Sequence, residues 1–88
     1  MCTTISDTTS IKGAGKGPGG WFPVTQATVA YDHATHTGAE HALLLDFANY
    51  DIGTEARVAV EMDVASGWAL LEQLRVTLEA AEASGLAE

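Results

Sequence analysis

His41-Ala42-Leu43-Leu44-Leu45-Asp46-Phe47-Ala48-Asn49 contains an unbroken run of four apolar residues, and its alternation decides the fold. A strand has a period of two, so His41, Leu43, Leu45 and Phe47 share one face and Ala42, Leu44, Asp46 and Ala48 the other. The run from Ala42 to Leu45 is far below the roughly 20 residues that span a bilayer, so no transmembrane helix is expected. On the N-terminal side, Val24 to Tyr31 alternates in the same way. Ala27, Val29 and Tyr31 fall on one face, with Gln26 and Thr28 on the other. On the C-terminal side, Arg57 to Asp63 turns Val58, Val60 and Met62 inward and Arg57, Glu61 and Asp63 outward. The connections His33–Glu40 and Tyr50–Ala56 suit hairpins longer than the tight two-residue kind.

Further out, Thr3 to Lys12 is rich in Thr and Ser and reads as a weak edge strand. Gly13 to Gly20 holds five glycines in eight residues and is expected to be a loop, a candidate lid, with Trp21 and Phe22 closing the core behind it. After Val64 the period changes. Leu70, Leu71, Leu74, Leu78 and Ala81 recur every three or four residues, while Glu72, Gln73, Glu79 and Glu82 fall mostly opposite, which predicts an amphipathic helix over 64–84. Asp63 or Ser66 can cap its start and Gly85 can stop it, and Arg75 can reach both Glu72 and Glu79.

The expected architecture is α+β: a four-stranded antiparallel meander with one C-terminal helix packed on one face, β-β-β-β-α, as a single domain over 1–88. One helix covers one face. The other, with Ala42 and Leu44, is then a candidate surface for a homodimer or larger closed oligomer. Size points the same way: a chain of 88 residues buries only about 60–65% of its unfolded surface, and its core supplies a few kcal/mol. A single Cys forms no internal disulfide, so oligomerisation or a bound metal is the expected supplement.

Charge and composition exclude several classes. Twelve acids against four bases give a net charge of −8, which argues against nucleic acid and against anionic membranes as partners. Met1-Cys2-Thr3-Thr4 has neither the basic nor the apolar region of a signal peptide, so a cytoplasmic setting is expected.

Chemistry concentrates in His33, His36 and His41, spaced H-x2-H-x4-H and together all the histidines of the chain. His33 continues the face of Val29 and Tyr31, and His41 opens the face of Leu43, so a hairpin brings the two side by side, with His36 on the loop between them. Three imidazoles with an open position suit a catalytic divalent transition metal, Zn2+ first. Asp32 and Glu40 flank them, Glu40 as a candidate general base or acceptor for a ring N–H. The competing reading makes the histidines ordinary polar loop groups, since their spacing matches no standard zinc motif. Cys2 is a candidate nucleophile or ligand if Met1 is removed, and otherwise a small apolar residue under a terminal strand. Lys16 is followed by Gly17-Pro18 and a strand rather than by Ser or Thr and a helix, so the glycine segment is not a phosphate-binding P-loop. Asp46 lies opposite Leu45 and Phe47, as a solvent-facing or interface carboxylate.

Met1-Cys2-Thr3, Lys16-Gly17-Pro18-Gly19-Gly20-Trp21-Phe22, the block His33, His36, Glu40 and His41, and the strand end Asp46-Phe47 resemble a family of short, actinobacterial-type proteins of unassigned function. The resemblance covers almost the whole chain. Ala34-Thr35 stands where such proteins tend to have Pro-Val between the first two histidines. It implies that the histidine block and Cys2 belong to the family's design, and it carries no known reaction. The leading expectation is therefore a small metal-binding protein, or a metalloenzyme acting on a small molecule through His33, His36 and His41. The alternatives are a non-catalytic oligomeric accessory or binding module, and a metal-free enzyme using a His or Cys2.

Overall fold

Residues 5–38 and 40–88 are described by the structure, a computed structural model. Four strands, β1 (Ile5–Gly17), β2 (Gly20–His33), β3 (His41–Ala48) and β4 (Arg57–Met62), form one antiparallel sheet in the order β1-β2-β3-β4. Helix α1 (Val64–Ala83) follows. The chain is therefore α+β with the expected element order.

Register sorts the side chains. Tyr31, Leu43 and Met62 align across β2, β3 and β4, followed by Val29, Leu45 and Val60, then Ala27, Phe47 and Val58. This apolar face ends at the hairpin with His33 directly opposite His41. The reverse face mixes polar groups with small apolar residues, Ala42 and Ala48 being buried there. Thr8 aligns with Thr28 and Asp46, and the two threonine hydroxyls lie 2.8 Å apart. Arg57 Nε donates to Asp46 Oδ2 at 2.7 Å.

The glycine segment differs from the loop expected over 13–20. β1 runs through it to Gly17, β2 begins at Gly20, and only Pro18 and Gly19 turn the chain. Gly20 takes φ +109°, open to a residue without a Cβ. The glycines serve as strand residues where β1 must pass closely over other side chains. A Cβ on Gly15 would press on Val24 Cγ2 at 3.0 Å, and one on Gly17 would crowd Phe22 at 3.3 Å while meeting the carbonyl oxygens of Glu55 and Arg57 at an ordinary 3.7 Å. The sheet thus curls until the end of β1 faces the start of β4. A shift of register between Ser10 and Gly13 accompanies the curl. Val24 and Ala27 are both buried although three residues apart, so the inward side of β2 changes parity between them.

Asn49 closes the other end. Its Nδ2 donates to Pro23 O at 3.0 Å, and its Oδ1 accepts from Asp51 N–H at 3.2 Å at the head of a short 3-10 turn, Tyr50–Ile52. Among the described residues Asn49 is the buried polar one, and it ties β2 to the β3–β4 connection.

Asp63, of the two candidate caps, receives Ser66 N–H at 2.7 Å and starts α1. The hydrogen bonds of Ser66 hold its carboxyl below the ordinary value. Gly85, at φ +76°, ends the helix, and Arg75 bonds both Glu72 and Glu79 as the spacing predicts. The helix meets the apolar face at Gly67, where a Cβ would stand 2.6 Å from Leu43 Cδ2. Beyond that anchor the leucine stripe lifts into solvent: Leu71, Leu74 and Leu78 are 53%, 51% and 61% exposed. Beneath it Val29 and Val60 remain 45% and 41% exposed.

Candidate functional site

Strand alternation places His33 and His41 on one face of adjacent strands, and the structure brings them into register as opposed residues. Their rings stack with centroids 4.6 Å apart and planes at 29°, and Tyr31 stacks on the far side of His41 at 5.6 Å. An aromatic stack of three rings thus caps the apolar face at its hairpin end.

His36 does not join them. The connection after His33 folds to the polar side of the sheet, where Glu61 lies, aligned with Leu44. One Glu61 carboxylate holds the loop through four groups. Thr35 N–H and Oγ1–H donate to Oε2 at 3.2 and 2.6 Å, His36 N–H donates to Oε1 at 2.9 Å, and His36 Nδ1 lies 3.3 Å from Oε2. These bonds, that from the Thr35 hydroxyl first, draw the Glu61 carboxyl down to about 2. The expected three-histidine centre is therefore split between the two sides of the sheet. Among the described residues, no three His, Cys, Asp or Glu side chains gather as metal ligands.

The other candidates are separated too. Glu40 is exposed at the end of the loop, where its backbone carbonyl accepts from Ala34 N–H at 3.1 Å. Asp32, aligned with Ala42, belongs to the polar side, and its Oδ1 accepts from His33 N–H at 2.7 Å. Asp46 pairs with Arg57, while its second oxygen is buried without a partner among the described residues. Cys2 lies outside the described residues.

Two features escaped sequence reasoning. Glu61 reads from alternation as one more outward carboxylate, because its partners come from a loop that has no period. The second is a hollow of about 380 Å³ at the curled end of the apolar face, lined by Gly15, Lys16, Trp21, Val24, Phe47 and Val58. Its walls exist because glycines in β1 allow close approach, a role that composition alone assigns to a loop. Lys12 and Lys16 are the only lysines of the chain. Among the described residues neither enters an ion pair, whereas Arg57 and Arg75 both do.

Among the described residues, no helix is long and apolar enough to cross a membrane. Residues 1–87 match the model of a family of unknown function, DUF6295, and the chain belongs to that family. No curated protein and no solved structure matches it.

Proposed function

We propose that this member of DUF6295 works as a homodimeric binding module whose apolar sheet face and helix stripe are covered by a second copy. One observation carries the reading: among the described residues no large side chain of the single chain is fully buried. The chain exposes 6649 Å², whereas a compact monomer of its 9.2 kDa exposes roughly 4,900 Å². Its radius of gyration, 14.8 Å, likewise exceeds the ~12 Å of a compact domain of this length. The excess of about 1,700 Å² per chain, buried on both partners, falls in the range of obligate dimers. The uncovered apolar surface is the side of Leu43, Leu45 and Phe47 rather than the side of Ala42 and Leu44, because the helix leaves it open. Sedimentation velocity of the untagged protein tests the reading. A species of twice the chain mass at micromolar concentration is expected, and a concentration-independent monomer overturns it.

The His33–His41 register favours a second reading, in which these two side chains hold a first-row divalent ion, Zn2+ first. The remaining ligands come from water or from the second copy. Imidazole nitrogens bind the ion only when deprotonated, and a bound ion supplies a Lewis acid at the rim of the apolar face. Elemental analysis before and after chelation tests it. Metal lost in His33→Ala and His41→Ala but kept in His36→Ala supports the pair. Absence of metal, or equal loss in all three variants, removes it.

A further inference from the structure

The dimer proposed above leaves open which surfaces meet, and the structure narrows that to one arrangement. We infer that the concave apolar face of each sheet is occupied by helix α1 of the second copy, the two helices being exchanged about a twofold axis.

Two apolar surfaces lack cover in one chain. The first is the stripe of Leu70, Leu71, Leu74 and Leu78. The second is the sheet face around Val29 and Val60, with the hollow between Val24, Phe47 and Val58 at its far end. A helix-to-helix contact between copies would cover the stripe and leave the sheet bare. A sheet-to-sheet contact would cover the sheet and leave the leucines bare. Reciprocal seating of helix on sheet covers both at once, and so accounts for the whole excess area rather than half of it. An amphipathic helix laid in an apolar groove is also a recurrent mode of recognition.

Dimensions fit. A helix of 20 residues is about 30 Å long, and four strands spaced by ~4.8 Å make a sheet of roughly 15–20 Å, so one helix crosses the full face. Gly67 explains how the exchange begins. Its missing Cβ lets the first turns of α1 sit hard against Leu43 of their own sheet, and the helix leaves the face from that fixed point.

Charge supports the same arrangement. The helix carries Glu72, Glu79 and Glu82 against a single Arg75. The groove is bordered by Lys16, with Lys12 four residues before it on the same strand, in a chain whose net charge is −8. Neither lysine has an ion-pair partner among the described residues of its own chain. Of these acids Glu82, four residues after Leu78, borders the leucine stripe, so in an incoming helix it approaches Lys16 at the rim of the groove.

The test uses full-length chains in a Cys2→Ser background, one carrying Leu74→Cys and the other Val60→Cys, mixed and oxidised. The inference predicts that a Leu74-to-Val60 disulfide dominates the covalent dimer, with self-joined Leu74→Cys or Val60→Cys chains minor. Predominant Leu74-to-Leu74 or Val60-to-Val60 products overturn the exchange and leave the dimer standing. No covalent product from a sedimenting dimer overturns the exchange as well, and a monomer in sedimentation removes the dimer itself. Because either cysteine can perturb folding, the unmodified protein supplies a second measurement. Isotopically light and heavy chains are mixed and coupled with a carbodiimide. Light-to-heavy links from Lys16 to Glu82 are expected, and exclusively intrachain links, or none, overturn the inference.

Discussion

Replacing Asn49 by alanine is expected to destabilise the protein by about 2 kcal/mol, since each of two lost side-chain hydrogen bonds carries roughly 1 kcal/mol net. The two bonds are Nδ2–H to Pro23 O and Asp51 N–H to Oδ1, at 3.0 and 3.2 Å. Asn49 is 5% exposed, so water enters poorly and the orphaned carbonyl and N–H raise the cost towards ~3 kcal/mol. Asn49→Asp separates the two contributions. It preserves the acceptor for Asp51 N–H, but it removes the donor to Pro23 and sets a carboxylate against that carbonyl in a dry site. It should therefore cost at least as much as alanine near neutral pH and recover partly in acid, where the carboxyl protonates and can donate. Urea unfolding at one fixed protein concentration measures the effect, because the stability of the proposed dimer would depend on concentration. With a denaturant slope of ~1–2 kcal/mol per M, the alanine variant should lose about 1–2 M in midpoint. A loss under about 0.5 kcal/mol, or an aspartate variant more stable than alanine at pH 7, would refute the claim that Asn49 bridges β2 and the β3–β4 connection through both ends of its amide.

Glu61 predicts a pH effect of defined sign. Its carboxyl falls from an ordinary 4.5 to about 2, so its contribution to loop order is complete above about 4.5 and disappears as pH drops through about 2. Amide shifts of Thr35 and His36 should titrate with a midpoint near 2, and a midpoint near 4.5 would remove the clamp. Gly67→Ala sets ~1 kcal/mol of helix propensity against a Cβ 2.6 Å from Leu43 Cδ2, a flexible side-chain end that can swing away, so its net change should stay within ~1 kcal/mol. Gly67→Leu overfills the same contact and should cost about 1–3 kcal/mol in urea unfolding, whereas unchanged stability would mean that α1 is not anchored there.

The parts of the fold legible in the sequence are those where a period is written over several residues. Leu43, Leu45 and Phe47, with Val58, Val60 and Met62, announce their common face, and the same alternation carries His33 and His41 into opposition. Asp63, Gly85 and Arg75 mark the helix through local capping and pairing that involve no distant contact. Legibility fails where distant backbone decides. Gly13, Gly15 and Gly17 look like loop because glycine is poor in isolated strands, yet all three are strand residues of β1, and Gly15 is needed where the strand passes tightly over Val24. His36 looks like a third ligand because the seven residues from Ala34 to Glu40 have no period, and the chain alone does not say to which side of the sheet they fold. The carboxylate that decides it, Glu61, is 25 residues away. The detached leucine stripe is hidden for another reason: amphipathicity says that a helix face is buried, not whose surface buries it.

The meander itself has a kinetic consequence. Every strand pairs only with its neighbour in the chain, and the first hairpin turns on just Pro18 and Gly19, so the loop closures that build the sheet are short and entropically cheap. Sheet formation can therefore run within one chain. In the proposed dimer, burial of the leucine stripe would wait for an encounter between two chains. Refolding should resolve into an early phase whose rate ignores protein concentration and a later phase whose rate rises with it, with Trp68 on α1 reporting the second. Until such an encounter the half-built chain would expose its stickiest surface, so on that reading the concentration at which it is made would influence whether it pairs productively or aggregates.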